Sequence, residues 1–538
     1  MVNPNYNTLA ELYARSVSAY AKRPCFSLYG REKLTYSGFA ERVEKAAELL
    51  KEYGLEAGDK VALLAQNSPN WPAAYFAAVT TGLVIVPILP DFSAAEVNQI
   101  VAHSEAKAMV VSEKQSAKLS PETIAALNVV IGADDFSVVA SKEACRERRW
   151  VSPEIGRDSL AVIIYTSGTT SSPKGVMLSH RNLCAQLNMV LNIQDVASSD
   201  VFLSLLPLSH TYECSLGMLL PFMMGASVVY IDKAPTAAVL LPILREIRPT
   251  IVLSVPLIIE KIFKGKILPK LTEGRLREKL YAWAPARKVL HRLAGKKLYA
   301  MFGGRVRFFG VGGSKLDPKV ERFLYEAKFP YAIGYGLTET APLLAGSNPS
   351  GVRAQSTGPV LQGVELRIDR PNPETGEGEI VARGENIMQG YYKNPEATAD
   401  AFTPDGWFRT KDLGVFDRDG YLFIKGRLGN MILGASGENI YPEEIEHVIN
   451  EHPLVVESLV KEEKGRLVAL VHFNREELQR KYNLMREELE AKVRGLQYEL
   501  MQYVNARVNR FSRISLVVEQ VQVFEKTPTQ KIKRFLYK

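Results

Sequence analysis

Cysteine is scarce, with four residues in 538 at positions 25, 145, 184 and 214. None forms a CxxC pair and none has histidine partners at metal-ligand spacing, which argues against a disulfide scaffold and a zinc site. A reduced, cytosolic compartment is expected. The first sixteen residues, MVNPNYNTLAELYARS, carry Glu11 and polar side chains where a signal peptide would need an apolar core, so no secretion signal is expected. Charge of one sign is also lacking: 67 Lys and Arg stand against 59 Asp and Glu, giving +8 and a pI near 9.0. That mild basicity admits contact with anions or a membrane surface, and no nucleic-acid partner is expected. One uncharged run, Cys214 to Ile231, is just long enough to raise a membrane span. Gly217, Pro221 and Gly225 interrupt it and SVVYI closes it, so a buried helix running into a buried strand is the better reading.

What is present is a large globular chain. Hydrophobic residues make up 46% and charged residues 23%, enough to bury several sheets, and the length calls for two or more domains. Short β-branched runs alternate with amphipathic stretches. KVALLAQ (60–66), AMVVSE (108–113), LAVIIYTSG (160–168), SVVYID (227–232), TIVLSVP (250–256) and VRFFGVGG (306–313) read as strands, and 35–54 reads as a helix. The alternation predicts an α/β fold of two doubly wound lobes with parallel sheets. From about residue 357 shorter strands with tight turns, VELRI, GEIVAR and YLFIKGR, predict a small antiparallel sheet or barrel. Residues 428–538, with the helix PEEIEHVINEH, predict a compact α+β domain. Segment 261–307 holds 14 Lys or Arg and two Glu. It reads either as the solvated face of one or two helices, or as a patch that touches anionic lipid or the phosphates of a carrier thiol.

The strongest chemical signal is YTSGTTSSPKGVMLSH (165–180). An apolar strand feeds a loop rich in Gly, Ser and Thr that ends at Lys174. Backbone N–H groups and hydroxyls of such a loop suit phosphate oxygens, and the lysine adds a mobile cation. It is not a Walker A loop, because GxxxxGK[ST] is absent. A Ser/Thr-rich surface turn is the bland alternative, and the strand-loop-PKG combination makes it a poor one.

This stretch resembles the phosphate-binding signature of the adenylate-forming superfamily, which includes acyl-CoA synthetases, adenylation domains of peptide synthetases, and luciferases. Four further motifs follow in that family's order: YGLTET (335–340), WFRTKDLG (407–414), KGR (425–427) and KTPTQKIKR (526–534). The resemblance spans essentially the whole chain. It implies that Thr166, Ser167, Gly168, Thr169, Thr170 and Lys174 face the phosphates of ATP. It further implies that Tyr335, Gly336 and Thr338 face the nucleotide, that Glu339 holds Mg²⁺, and that Asp412 binds the ribose with help from Arg427. Lys531 takes the position of the catalytic lysine. Each role suits its chemistry: adenylation joins two anions, so a hard carboxylate for Mg²⁺ and a flexible cation for the α-phosphate are needed. Singly, Glu339 could cap a turn, Asp412 could brace one, and Lys531 could be one of several solvated lysines. His210, in LLPLSHTYE, resembles the residue at the mouth of the acid pocket. Gly312, Gly313 and Ser314 resemble a turn whose backbone lets adenine and substrate approach, and an unliganded tight turn would look alike. Thr166, His210, Glu339 and Lys531 are the expected catalytic set.

Two positions depart from the pattern. Gly429 stands at the hinge where Asp or Lys is usual, and Gln530 stands where Gly precedes the catalytic lysine. LPLSHTYE and GENIYPEEIE resemble the medium- and long-chain fatty acyl branch, and the apolar LGMLLPFMM and VLSVPLII would suit an alkyl slot, although core packing claims most such residues. The expected reaction is ATP-dependent activation of a fatty acid as an acyl-adenylate, then transfer to coenzyme A. Acyl carrier protein as acceptor, a non-catalytic fatty acid or AMP-binding homologue, and a luciferase-like monooxygenase remain alternatives. The expected division is 1–427 for nucleotide and acid, and 428–538 as a mobile domain carrying Lys531. The expected location is the cytoplasm, with peripheral contact at the inner membrane face.

Overall fold

The computed structural model describes residues 5–31, 33–144, 153–166, 173–233, 235–433, 439–482, 486–527 and 531–537. Contacts divide the chain into two compact units. One comprises Met1–Leu366, Ala382–Phe408 and Arg418–Leu422, and the other Arg367–Val381, Arg409–Asp417 and Phe423–Lys538.

The first unit is built on two eight-stranded sheets, as the alternation of strands and helices predicts. One runs in the order Gly390–Tyr391, Lys174–Ser179, Leu160–Thr166, Val84–Pro87, Lys60–Leu64, Ala106–Val111, Val129–Gly132, Val138–Ser141. Its five inner strands are parallel, and antiparallel strands close both edges. The other runs Leu343–Gly346, Tyr331–Gly336, Phe308–Val311, Ile251–Ser254, Val201–Leu203, Ser227–Tyr230, Pro24–Leu28, Lys33–Thr35, again parallel inside and antiparallel at each edge. The inner strands are apolar on both faces because helices cover both, so they read as continuous runs rather than alternating ones.

Local sequence explains the helices. Thr35 caps Tyr36–Glu52 by accepting from the Gly38 N–H, and Tyr36, Phe39, Val43, Ala46, Ala47 and Leu50 fall on its buried stripe. Ser93 with Glu96, and Ser179 with Asn182, form capping boxes that start Ala94–Ser104 and His180–Leu191. Phe222 joins several of these elements. Its ring lies 4.7 Å from Phe76, 5.0 Å from Tyr36, 5.6 Å from Phe39 and 5.8 Å from Phe26, centroid to centroid. Burying one such ring contributes about 1.5–3 kcal/mol.

The uncharged run from Cys214 becomes a buried π-helix, Glu213–Leu219, then Leu220–Met223 and the strand Ser227–Tyr230. No helix among the described residues is long and apolar enough to cross a membrane. Cys25, Cys184 and Cys214 are buried free thiols, and Cys145 lies outside the described residues.

The short strands expected after residue 357 form a four-stranded sheet ordered Val364–Asp369, Gly378–Gly384, Phe408–Phe416, Leu422–Arg427. The second unit also has its own core, in which Ile445, Ile449, Val471, Leu496 and Leu500 are buried between helices and a three-stranded sheet. That sheet pairs Val455–Glu463 antiparallel with Arg466–Phe473, and Arg466–Phe473 parallel with Leu516–Glu519.

Candidate active site

In the first unit the motif segments follow the carboxyl ends of parallel strands, where open α/β sheets leave a crevice. Thr166 ends Leu160–Thr166 and pairs across the ladder with Lys174, the first residue of the returning strand. Ser167, Gly168, Thr169 and Thr170 lie outside the described residues. Lys174 Nζ stands 5.2 Å from the centre of the Tyr391 ring, a cation–π distance. Tyr391 reaches this point because Gly390–Tyr391 pairs with Met177 and Val176 at the sheet edge.

Glu339 sits on the short 3₁₀ turn Thr338–Thr340 after the strand Tyr331–Gly336 and is half-buried. Its Oε1 accepts a 2.9 Å hydrogen bond from the Tyr391 hydroxyl. Tyr391 therefore joins the acidic and basic members of two separate motifs. The turn beneath Glu339 is fixed from below. Asn386 Nδ2 donates to the Thr340 carbonyl at 2.9 Å, to Leu343 O at 3.1 Å and to Gln186 Oε1 at 3.2 Å; Asn386, Thr340 and Gln186 are buried and Leu343 is half-buried. Gly336 is required there, because a Cβ would lie 1.8 Å from Pro342 O. Tyr335 is buried, and Thr338 half-buried on the same turn.

His210 ends the segment after Val201–Leu203. Asn67 holds that segment by donating to Leu206 O at 2.7 Å and Ser204 Oγ at 3.1 Å, and by accepting from the Leu208 N–H at 2.9 Å. The Tyr212 N–H reaches His210 Nδ1 at 3.3 Å. Gly312, Gly313 and Ser314 follow the strand Phe308–Val311. Gly313 has φ +90°, and a Cβ on Gly312 would lie 3.3 Å from the Tyr212 ring. Beside this turn lies an apolar cavity of about 50 Å³, lined among others by Tyr212, Leu216, Leu253, Gly310, Val311 and Gly334. Three glycines, Gly310, Gly334 and Gly346, sit on adjacent strands of its floor. Burial pushes the Glu213 carboxyl, on the π-helix beside this cavity, up to about 8.

In the second unit, buried Asp412 lies on Phe408–Phe416 and Arg427 ends Leu422–Arg427. Arg427 Nε and Asp412 Oδ1 are 2.7 Å apart. Thr410 fixes the strand beside Asp412, donating to Ile380 O at 2.7 Å and accepting from the Asp412 N–H at 3.1 Å. Gly429 lies on the 3₁₀ turn Leu428–Asn430, and a Cβ there would meet nothing within 4 Å. Lys531 is exposed. Its N–H donates to Thr527 Oγ1 at 3.2 Å, and its carbonyl accepts from the Thr527 N–H at 2.7 Å. Lys526 is ion-paired with Glu457, and Arg534 with Glu446, so carboxylates pin this segment on either side of Lys531. Burial holds the Glu446 carboxyl up, at about 7. Gln530 lies outside the described residues.

The sequence reading overlooked Tyr391, Asn386, Gln186 and Glu213. The available signal for Tyr391 was the tandem tyrosine after Gly390, just ahead of the Pro-opened helix Pro395–Asp400.

The family model described as AMP-binding enzyme matches residues 13–392. The chain is 30% identical over 494 residues to a long-chain-fatty-acid–CoA ligase, heimdall, of Drosophila melanogaster, covering 82% of this chain and 72% of that protein. It is 29% identical over 459 residues to the long-chain-fatty-acid–CoA ligase FadD15 of Mycobacterium tuberculosis, covering 79% and 75%. Among solved structures, ATP-bound MatB from Rhodopseudomonas palustris matches with TM-score 0.77 and 23% identity over 98% of each chain. The o-succinylbenzoate CoA synthetase of Bacillus subtilis with its acyl-adenylate matches with TM-score 0.76 and 21% identity, over 98% of this chain and 97% of that one. At these identities the structural likeness speaks to the fold.

Proposed function

The chain belongs to the AMP-binding enzyme family, and on that premise we propose that it is an AMP-forming ligase that activates a medium- or long-chain fatty acid and passes it to coenzyme A. The fatty carboxylate attacks the α-phosphorus of ATP, the bond to the β-phosphate oxygen breaks, and pyrophosphate leaves. The thiol then attacks the acyl carbon, the bond to AMP breaks, and acyl-CoA and AMP are released. The observation that carries the choice of acid is the apolar lining of the cavity beside the Gly312 turn. Such a lining favours an alkyl chain over a small polar acid.

The donors suit the implied metal. No cluster of three or more His, Cys, Asp or Glu that could hold an ion occurs among the described residues. A single half-buried carboxylate, Glu339, oriented by Tyr391, suits a Mg²⁺ that takes its remaining oxygens from phosphates and water. Bound there, Mg²⁺ would neutralise phosphate charge as pyrophosphate departs. Lys174, with Thr166 and the loop of Ser167, Gly168, Thr169 and Thr170, holds the phosphates. Gly312, Gly313, Ser314, Tyr335, Gly336 and Thr338 receive the nucleotide, and His210 stands at the mouth of the acid pocket. Asp412 accepts from the ribose diol, with Arg427 turning it toward that task. Lys531 supplies a flexible cation to the carboxylate and α-phosphate in the first step. Residues 428–538 then rotate about the Gly429 segment to admit the thiol. Acyl carrier protein is the alternative acceptor. The enzyme works in the cytoplasm, with peripheral contact at the inner membrane face.

The test is AMP release from ATP with magnesium, across acids of increasing chain length, with and without coenzyme A. Release that needs both a fatty acid and coenzyme A supports the reading. Adenylate without coenzyme A turnover moves the acceptor to a carrier protein, and no adenylate with any acid ends the ligase reading.

A further inference from the structure

The helices Arg275–Ala282 and Ala284–Met301 form a hairpin whose outer face has no folding purpose. The second helix is anchored on one side only. His291, Gly295 and Leu298, spaced four and three apart, are buried, and a Cβ on Gly295 would lie 2.5 Å from Ala327 Cβ. Arg287 and His291 also turn inward, to Glu326 at 3.0 and 2.7 Å. Two positions either side of His291, and therefore on the opposite face, Val289 and Leu293 are 58% and 55% exposed. The first helix is more extreme. Seven of its eight residues are exposed and Tyr281 is half-buried. Leu276 and Leu280, with Trp283 immediately after it, follow one another four and three residues apart along one line, exposed by 74%, 40% and 62%.

Single exposed apolar side chains are ordinary, but five within one hairpin leave a patch that water disfavours and the protein core does not claim. Their neighbours are cations: Arg275, Arg277, Lys279, Lys288, Arg292, Lys296 and Lys297, with Glu278 the single acid from 275 to 297. On the second helix Arg292 and Lys296 flank the Val289–Leu293 pair on one side and Lys297 on the other.

We propose that this hairpin is a docking surface for a bilayer with anionic headgroups. Leu276, Leu280, Trp283, Val289 and Leu293 enter the boundary between headgroups and acyl chains, and the surrounding Lys and Arg meet the phosphates. This arrangement fits an interfacial amphipathic element, with tryptophan at the level where its amphipathic ring is favoured. An acidic protein would answer the charge, but it gives no reason for a line of exposed apolar side chains that serves no core. The proposal gives a definite surface to the peripheral contact proposed above. That the bilayer delivers the fatty acid rests on the ligase reading, whereas docking itself does not.

The experiment is co-sedimentation of the full chain with phosphatidylcholine vesicles, with and without phosphatidylglycerol, at physiological and at high ionic strength, in the absence of ATP, acid and thiol. The wild type should pellet with the anionic vesicles, weakly with neutral ones, and less at high salt. Changing Lys288, Arg292, Lys296 and Lys297 together to Gln should weaken binding on the order of a hundredfold or more. The triple variant Leu276→Ser, Leu280→Ser, Trp283→Ser should lose most of the bound fraction while melting like the wild type. Trp283→Phe should still bind, without the blue shift of tryptophan emission seen with wild type. Wild type left in the supernatant with anionic vesicles would overturn the proposal, as would both multiple variants pelleting like wild type. So would capture of an acidic carrier protein, but not of vesicles, through the same four cations. Ligase failure alone leaves the vesicle result standing.

Discussion

Tyr391 donates its hydroxyl hydrogen to Glu339 at 2.9 Å, across the whole interval between the YGLTET turn and the sheet edge. The same ring lies 5.2 Å from Lys174 Nζ, so one side chain fixes both an acid and a base. Tyr391→Phe should keep the cation–π contact and lose the hydrogen bond to the carboxylate, worth about 1.5–3 kcal/mol for a charged partner. The expected result is a rise in the magnesium concentration needed for adenylate formation, with the affinity for fatty acid unchanged. Tyr391→Ala should add a weaker grip on ATP. Equal behaviour of the Phe variant and wild type across a magnesium titration would remove Tyr391 from the site.

Lys531 can be told from its neighbours by what holds them. Lys526 is ion-paired with Glu457 and Arg534 with Glu446, whereas the backbone of Lys531 is closed on Thr527. Lys531→Ala should slow adenylate formation by about 10²–10³, with a melting temperature like the wild type. Lys526→Ala should act the other way round, lowering stability of the second unit with a smaller effect on rate. Unchanged adenylation in Lys531→Ala, with a slowed thioester step, would sink the assigned role.

The floor of the apolar cavity offers a ruler. A Cβ on Gly310 would lie 2.8 Å from Phe308 Cε1 and 3.0 Å from both Leu253 Cδ2 and the Tyr212 hydroxyl, and one on Gly334 would lie 2.8 Å from Leu343 Cδ1. Gly310→Ala and Gly334→Ala should push these side chains into the slot. Rates with the longest acids should fall on the order of tenfold relative to shorter ones, the usual worth of a methylene in a pocket. A loss equal at every chain length would mean that the glycines serve packing alone.

Much of the fold was legible because its strands are buried on both faces. LAVIIYT, TIVLS and FFGV leave no polar alternation to misread, and Gly- or Ser-rich turns end the first and last of them while Pro256 follows the other. The π-helix Glu213–Leu219 was not legible, since an apolar run looks the same whether its hydrogen bonds close on the fourth or the fifth residue. Tyr391 escaped because a two-residue edge strand carries almost no pattern, and its contacts lie far away along the chain. Asp412 and Arg427 were paired as one function through resemblance, and their ion pair follows from neighbouring strands that sequence spacing does not reveal. The Ser167–Thr170 stretch of the strongest motif lies outside the described residues.

Glu213 makes a prediction about pH. Its carboxyl is buried on the π-helix, and a Cβ one π turn later, at Gly217, would lie 2.6 Å from its Oε1. Burial lifts it from an ordinary value of 4.5 to about 8. Between those values the folded chain keeps a proton that the unfolded chain has released, so the folded state binds more protons and rising pH favours unfolding. The contribution is whole below about 4.5 and is lost as pH climbs through about 8. Glu446, lifted to about 7, adds a term of the same sign, so the variant must be compared with wild type rather than read alone. Glu213→Gln is neutral at every pH and nearly isosteric, and should flatten this part of the dependence. The two proteins should melt close together in mild acid, and the variant should gain a few degrees on the wild type as pH approaches 8. Melting curves that stay parallel from mild acid to above pH 8 would mean that Glu213 is already ionised in the folded protein, with a counter-charge holding it there.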